Sequence, residues 1–174
     1  MILIGLGSNK TGPWGKPRDC VVRALAVLDE QPLKLLKMST LIETTPFGNQ
    51  DQPAYINAVA RIKTRLPALI LLQALHGIER SAGRERRERW GERTLDLDIL
   101  DYNGVVLEYG VAQTVDAELV LPHPAISGRE FVLAPIAEIA PRWKHPVTGL
   151  TARKMLAALN TDKGGRIISS GTGT

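Results

Sequence analysis

Hydrophobic residues recur along this chain with two periods. Residues 1–6, Met1-Ile2-Leu3-Ile4-Gly5-Leu6, form an apolar run that reads as a strand ended by Gly7-Ser8-Asn9. Gly12, Pro13, Gly15 and Pro17 then mark a loop over 9–17. Val21, Leu25 and Leu28 follow at helical spacing, residues 33–44 read as a strand, and Thr45 to Pro53 is a polar, turn-rich loop. Over 55–64 the period is two: Ile56, Ala58, Ala60 and Ile62 point one way, Tyr55, Asn57 and Val59 the other. Leu71, Leu72, Leu75 and Ile78 make a helical stripe over 68–81, followed by a charged loop over 83–93. Residues 94–102 alternate again, and Asn103-Gly104 predicts a hairpin turn into Val105-Val106-Leu107. Residues 125–139 and 151–159 read as helices, the second capped by Thr151. From Thr161 the chain is rich in Gly and Ser with little to bury. We therefore expect one domain over 1–160 and a frayed tail over 161–174.

The order strand, helix, strand, strand, helix, strand is that of the split βαβ unit. The expected class is α+β: a ferredoxin-like sandwich with helices packed on an antiparallel sheet. A chain of 174 residues suits one domain and can build a core without staples. Its one cysteine, Cys20, excludes an internal disulfide, which suits a reducing compartment. The opening apolar run is too short to span a membrane and lacks a basic flank. The expected location is the cytoplasm, with no membrane partner.

Charge changes the picture locally. Of the net +4, much is concentrated in Arg84, Arg86, Arg87, Arg89 and Arg93, a cluster that attracts phosphate on a nucleotide or a nucleic acid. Just downstream, alternation puts Leu95, Leu97 and Ile99 on a core face, and Asp96 and Asp98 on the other, about 6.6 Å apart along the strand. Adjacent carboxylates raise each other's pKa, a cost that a divalent cation removes. Hard carboxylate oxygens suit Mg²⁺, which keeps several waters and takes phosphate oxygens as further ligands. Two such ions ~3.5–4 Å apart could be bridged by this pair. A bare Asp-x-Asp is more often a solvated strand face, and the interleaved Glu85, Glu88 and Glu92 fit a salt-bridged surface loop. The two features together favour a phosphate site, and Trp90 in the middle of the loop calls for a stacking partner.

Two further groups carry candidate chemistry. In Thr44-Thr45-Pro46-Phe47-Gly48, Gln50 to Pro53, Tyr55 and Asn57, the Asn57 amide offers the donor and acceptor that a pteridine or purine edge needs, or else it fixes the neighbouring turn. In Pro122-His123-Pro124 and Arg129-Glu130-Phe131, His123 and Arg129 can meet phosphate and Phe131 can stack on a ring, or they are a loop histidine and a core phenylalanine. There is no G-x-x-x-x-G-K-[ST] loop, no dinucleotide fingerprint and no Cys/His cluster.

Taken in order, these segments resemble the 6-hydroxymethyl-7,8-dihydropterin pyrophosphokinase family. The resemblance runs from Leu6-Gly7-Ser8-Asn9 through Thr44-x-Pro46-x-Gly48, Gln50 to Pro53, Tyr55-x-Asn57, Glu79 and Gly83-Arg84. It continues through Arg89-Trp90-Gly91-x-Arg93-Thr94-Leu95-Asp96-Leu97-Asp98, Pro122-His123-Pro124 and Arg129-x-Phe131, so it covers about residues 1–159. It implies transfer of diphosphate from ATP to the hydroxymethyl pterin, in folate biosynthesis. The substrate hydroxyl attacks the β-phosphorus and AMP leaves. It implies two Mg²⁺ on Asp96 and Asp98, catalytic assistance from Arg84 and Arg93, and loops at about 8–16, 45–54 and 83–93 around the site. ATP is expected on Glu79, Arg84, Arg87, Trp90, Arg93, His123 and Arg129. The pterin is expected between Phe131 and the Phe47 loop, held by Asn57 and by backbone around Thr44, with Thr45, Tyr55, Trp90 and Asp96 around it.

The chain departs from the family at a few places. Pro is frequent where Thr45 stands and Lys where Arg87 stands, and the arginine loop is one residue shorter than a common form. His76 replaces a frequent Gln. It shares a helix face with Glu79, three residues on, so it is expected at the edge of the nucleotide pocket unless it is an exposed histidine with no partner. The expected partners are the two substrates, with a monomeric chain and no nucleic acid. The rival class is an RNA-binding module, since ferredoxin-like sheets serve that role. The chain lacks the aromatic RNP1 stretch that role uses. A catalytically dead regulatory relative is a third reading, and the intact acid and arginine positions argue against it.

Overall fold

A computed structural model describes residues 1–46, 51–84, 91–108, 110, 118–159 and 165–171. The elements are β1 (Ile2–Ser8), α1 (Pro17–Val27), β2 (Leu33–Met38), β3 (Leu41–Thr44), β4 (Tyr55–Thr64), α2 (Ala68–Ser81), β5 (Asp96–Tyr102), α3 (Glu130–Ile139), α4 (Ala152–Ala157) and β6 (Ile167–Gly171). A 3₁₀ turn at Ile126–Gly128 precedes α3.

The sheet runs β5-β1-β4-β3-β6, with β2 also pairing β4, and every ladder is antiparallel. With β2 and β3 counted as one interrupted strand, the first five strands give the split βαβ order, so the fold is ferredoxin-like.

Alternation along the strands splits the sheet into two faces. Ile4, Leu6, Ala58, Ala60, Leu97 and Ile99 pack under α1 and α2 with Val21, Leu25, Leu71 and Leu75. Each large aliphatic buried there contributes about 1.5–3 kcal/mol. Leu75→Ala in this layer is expected to cost ~2–5 kcal/mol, including the cavity left behind. On the opposite face Leu3, Val59 and Leu100 pack against Leu133 and Ile136 of α3 and Met155 of α4. The residues that share this second face but lie beyond α3 are Gly5, Gly7, Asn57, Asp96 and Asp98, and they form one side of a cavity.

Three expectations are corrected. The strand over 33–44 is broken at Ser39 and Thr40. Ser39 exchanges hydrogen bonds with Val59, its N–H donating to the carbonyl and its Oγ accepting from the N–H, both at 2.9 Å. Glu138 of α3 accepts from the Thr40 N–H at 3.0 Å and its hydroxyl at 3.1 Å. The Asn103-Gly104 turn forms, with φ of 55° and 73°, yet no hairpin strand follows: Val105 and Val106 are exposed and Leu107 makes only an isolated bridge to Leu121. The frayed tail is corrected for 165–171, because β6 pairs with β3 from Leu41↔Gly171 to Thr44↔Ile167. Hydrogen bonds to an open strand edge order these residues where side-chain burial alone would not. Residues 161–164 and 172–174 of that tail lie outside the described residues.

Candidate active site

The cavity on the second face is walled by elements far apart in sequence. β1 contributes Gly5 and Gly7, β4 contributes Tyr55 and Asn57, and β5 contributes Asp96 and Asp98. Arg129 and Phe131, at the start of α3, close one end, and Thr44, Thr45 and Gln52 lie toward the other. The two glycines leave room: a Cβ on Gly7 would sit 3.0 Å from Asn57 Oδ1. Asn57 is buried, and its Nδ2 donates to Thr44 Oγ1 at 2.8 Å. Its amide is therefore fixed in orientation, with the oxygen toward the Gly7 side of the cavity.

Asp96 and Asp98 differ in electrostatics. Asp96 lies between two guanidinium groups, with Oδ1 2.6 Å from Arg84 Nη1 and Oδ2 2.6 Å from Arg93 Nη1. Burial works against its charge, but Arg84, Arg93 and Arg129 outweigh it and hold the carboxyl below its usual range. Asp98 is pushed up, first by burial and then by the charge of Asp96. His123 Nε2 lies 3.7 Å from Asp98 Oδ2, and its Nδ1 accepts from the Ala125 N–H at 3.1 Å. Behind this pair, Glu79 of α2 is almost fully buried. One carboxylate oxygen accepts from the Leu97 N–H at 2.8 Å and pairs with Arg84. Burial pushes Glu79 up to about 7, against the opposing effect of Arg84.

Burial also works against the Arg93 charge, yet Asp96 more than offsets this and holds Arg93 above its ordinary value. The Tyr55 phenol is raised by burial and stays a neutral donor. Arg129 stacks over the Phe131 ring at 5.6 Å. Two carboxylates open to a cavity, one of them raised by its neighbour, form a donor set that suits a hard divalent cation. Among the described residues no group of three or more His, Cys, Asp or Glu could hold a metal. A hard cation such as Mg²⁺ commonly takes water and phosphate oxygens beside one or two carboxylates.

Of the residues expected from sequence, Thr44, Thr45, Tyr55, Asn57, Arg93, Asp96, Arg129 and Phe131 line the one cavity together with Asp98. Arg84 and His123 lie beside it, at Asp96 and Asp98, and Glu79 is buried behind Arg84. Phe47, Arg87 and Trp90 lie outside the described residues. His76 is 6% exposed on α2, so it is not an exposed surface histidine, and it is not among the cavity-lining residues.

Sequence reasoning missed Asn9. Its Oδ1 accepts from the Arg93 N–H at 2.8 Å, and its Nδ2 donates to Gln52 Oε1 at 3.2 Å and Pro53 O at 3.3 Å. Asn9 thus ties the base of the arginine loop and the segment before β4 to the end of β1. Ser8 does the same with Thr94 O at 2.6 Å. The available signal was two polar residues continuing an apolar strand, which read instead as its terminator.

Comparison with known proteins follows the same outline. The pattern of the family described as 7,8-dihydro-6-hydroxymethylpterin-pyrophosphokinase (HPPK) matches residues 3–141. The chain is similar to the 2-amino-4-hydroxy-6-hydroxymethyldihydropteridine pyrophosphokinase of Haemophilus influenzae, 42% identical over 137 residues, covering 79% of each protein. The Pseudomonas aeruginosa protein of the same name is 38% identical over 158 residues, covering 90% of each. Among solved structures, a Plasmodium falciparum HPPK-DHPS triple mutant with pteroate aligns with a TM-score of 0.69 at 15% identity. That alignment covers 90% of this chain but only 42% of the longer one, and it shows the fold alone.

Proposed function

This chain belongs to the 7,8-dihydro-6-hydroxymethylpterin-pyrophosphokinase family, and from that premise we infer how its own residues carry the reaction. The enzyme transfers diphosphate from ATP to the hydroxymethyl group of 6-hydroxymethyl-7,8-dihydropterin, a step of folate biosynthesis. The hydroxyl oxygen forms a bond to the β-phosphorus. The bond from that phosphorus to the α,β-bridging oxygen breaks, AMP leaves with that oxygen, and the hydroxyl proton goes to solvent.

One observation carries the assignment of roles: the Asp96–Asp98 pair, with Arg84 and Arg93 on Asp96, opens into the cavity that holds Asn57 and Phe131. The reading places the ring against Phe131, with its edge on the fixed Asn57 amide, Thr44 and Thr45 beside it, and Tyr55 across the cavity. This brings the hydroxymethyl group toward the carboxylates. Asp96 and Asp98 would hold two Mg²⁺, which when bound supply charge to the phosphates. Arg84 and Arg93, already at Asp96, are close enough to turn to a phosphate and stabilise charge at the transferring group. Glu79, His123 and Arg129 would flank the nucleotide. His76, buried and not cavity-lining, is given no contact, and Arg87, Phe47 and Trp90 keep only the roles the family resemblance implies. No side chain is assigned as a general base.

The reading also proposes a monomeric chain in the cytoplasm, built as a single domain that takes in β6, with no nucleic-acid or membrane partner. Among the described residues no helix is long and apolar enough to cross a membrane. Turnover should require ATP, the pterin and a divalent cation together. AMP release at an equal rate without the pterin would overturn the assignment.

A further inference from the structure

Thr45 closes a two-way clasp with the C-terminal segment. Its N–H donates to the Arg166 carbonyl at 3.0 Å, and its Oγ1 accepts from the Arg166 N–H at 3.0 Å. One residue back, Thr44 is the register partner of Ile167 in the β3–β6 ladder. The ladder is reinforced by Ser169 Oγ, which donates to Glu43 Oε2 at 3.1 Å. Thr44 in turn accepts from the Asn57 amide at 2.8 Å. Thr44, Thr45 and Asn57 all line the cavity, whereas Arg166 and Ile167 do not. A continuous path of backbone and side-chain hydrogen bonds therefore leads from the last strand to the groups facing the ring.

We propose that β6 is a positioning element for the pterin half of the site, holding Thr44 and Thr45 so that the Asn57 amide is presented to the ring without β6 touching it. The inference rests on the reading of this cavity as the pterin site. Its physical basis is preorganisation. Thr44 and Thr45 stand at the C-terminal end of β3, and without the clasp that corner would have to be ordered when the ligand binds. The nucleotide side is built on β5, α2 and the start of α3, none of which pairs with β6. The clasp therefore sets pterin affinity and leaves nucleotide affinity alone.

Thr45→Val keeps the N–H and the branched shape but removes the acceptor for the Arg166 N–H. Arg166→Pro removes that donor from outside the cavity. Arg166→Ala, which keeps the N–H, controls for the side chain. The loss of one neutral hydrogen bond predicts a rise of about fivefold in pterin KM for Thr45→Val and for Arg166→Pro. The pair combined should be no worse than the worse single variant, because both remove one bond. For Arg166→Pro the turnover number and ATP KM, and for Arg166→Ala every constant, should stay within about twofold of wild type. In the wild-type protein, pterin binding should slow amide exchange at Thr45 and Arg166, because coupling between two sites is reciprocal. This measurement decides the matter even if Arg166→Pro fails to fold. Unchanged exchange at both amides, or unchanged pterin KM in a folded Arg166→Pro protein, would overturn the proposal. Failure of the wild type to make AMP from ATP and pterin would instead count against the functional reading.

Discussion

Arg93 donates from Nη1 to Asp96 Oδ2 at 2.6 Å, while Arg84 holds the other oxygen of the same carboxylate at the same distance. Two arginines read from sequence as phosphate ligands thus rest on a carboxylate read as a metal ligand. The three charges can be redistributed when a metal and a polyphosphate arrive together. Asp96→Ala or Asp98→Ala should then lower turnover by at least ~10³, since metal charge on a phosphoryl group is worth several kcal/mol. Both side chains face the cavity, so far-UV circular dichroism should be unchanged. Activity within tenfold of wild type in both variants would rule out the metal role.

Arg84 and Arg93 should matter more for rate than for nucleotide affinity, because charge at the transferring group changes most in the transition state. For Arg93→Ala we expect kcat to fall ~10²-fold or more, with ATP affinity weakened less than about tenfold. Arg84→Ala should add a stability cost, since it removes an ion pair from the buried Glu79 carboxylate. Variants that bind ATP poorly but keep the maximal rate would contradict this assignment.

Glu79 makes stability depend on pH. Its native pKa, about 7, is above the unfolded value of 4.5. Between these values the native state binds more protons than the unfolded state, so the contribution is fully present below about pH 4.5 and is lost as pH rises through about 7. The loss is on the order of 3 kcal/mol. Asp98, raised as well, acts in the same direction, and Asp96, lowered, matters only below its ordinary value. Comparing urea midpoints of wild type and Glu79→Gln across this range isolates Glu79. The variant keeps an acceptor for the Leu97 N–H and should show a shallower decline. Parallel profiles would contradict the prediction.

Gly7→Ala tests the floor of the ring site. The added Cβ would come within 3.0 Å of Asn57 Oδ1, so the amide must shift from the position that Thr44 holds. Pterin KM should rise by about tenfold with ATP KM little changed, the scale of one lost hydrogen bond with its partner left unpaired. Equal changes in both constants would place the ring elsewhere.

Much of this was legible in the sequence where periodicity was strict. The alternation over 55–64 and the stripe over 68–81 match β4 and α2 residue for residue. Asp96 and Asp98 face the cavity for the reason that Leu97 and Ile99 face the core. What was not legible depended on partners distant in sequence. The break at Thr40 is held by Glu138, 98 residues away, and β6 is held by β3 despite its Ser and Gly content. Asn9 reads locally as a turn residue, and only the return of Arg93 and Pro53 to its side shows what it joins.

The most direct measurement uses ATP labelled at the β-phosphorus, incubated with Mg²⁺ and 6-hydroxymethyl-7,8-dihydropterin. The account predicts unlabelled AMP and all transferred label in the pterin diphosphate, in equal amounts. Formation of ADP, or a pterin carrying a single phosphate from the γ-position, would contradict it.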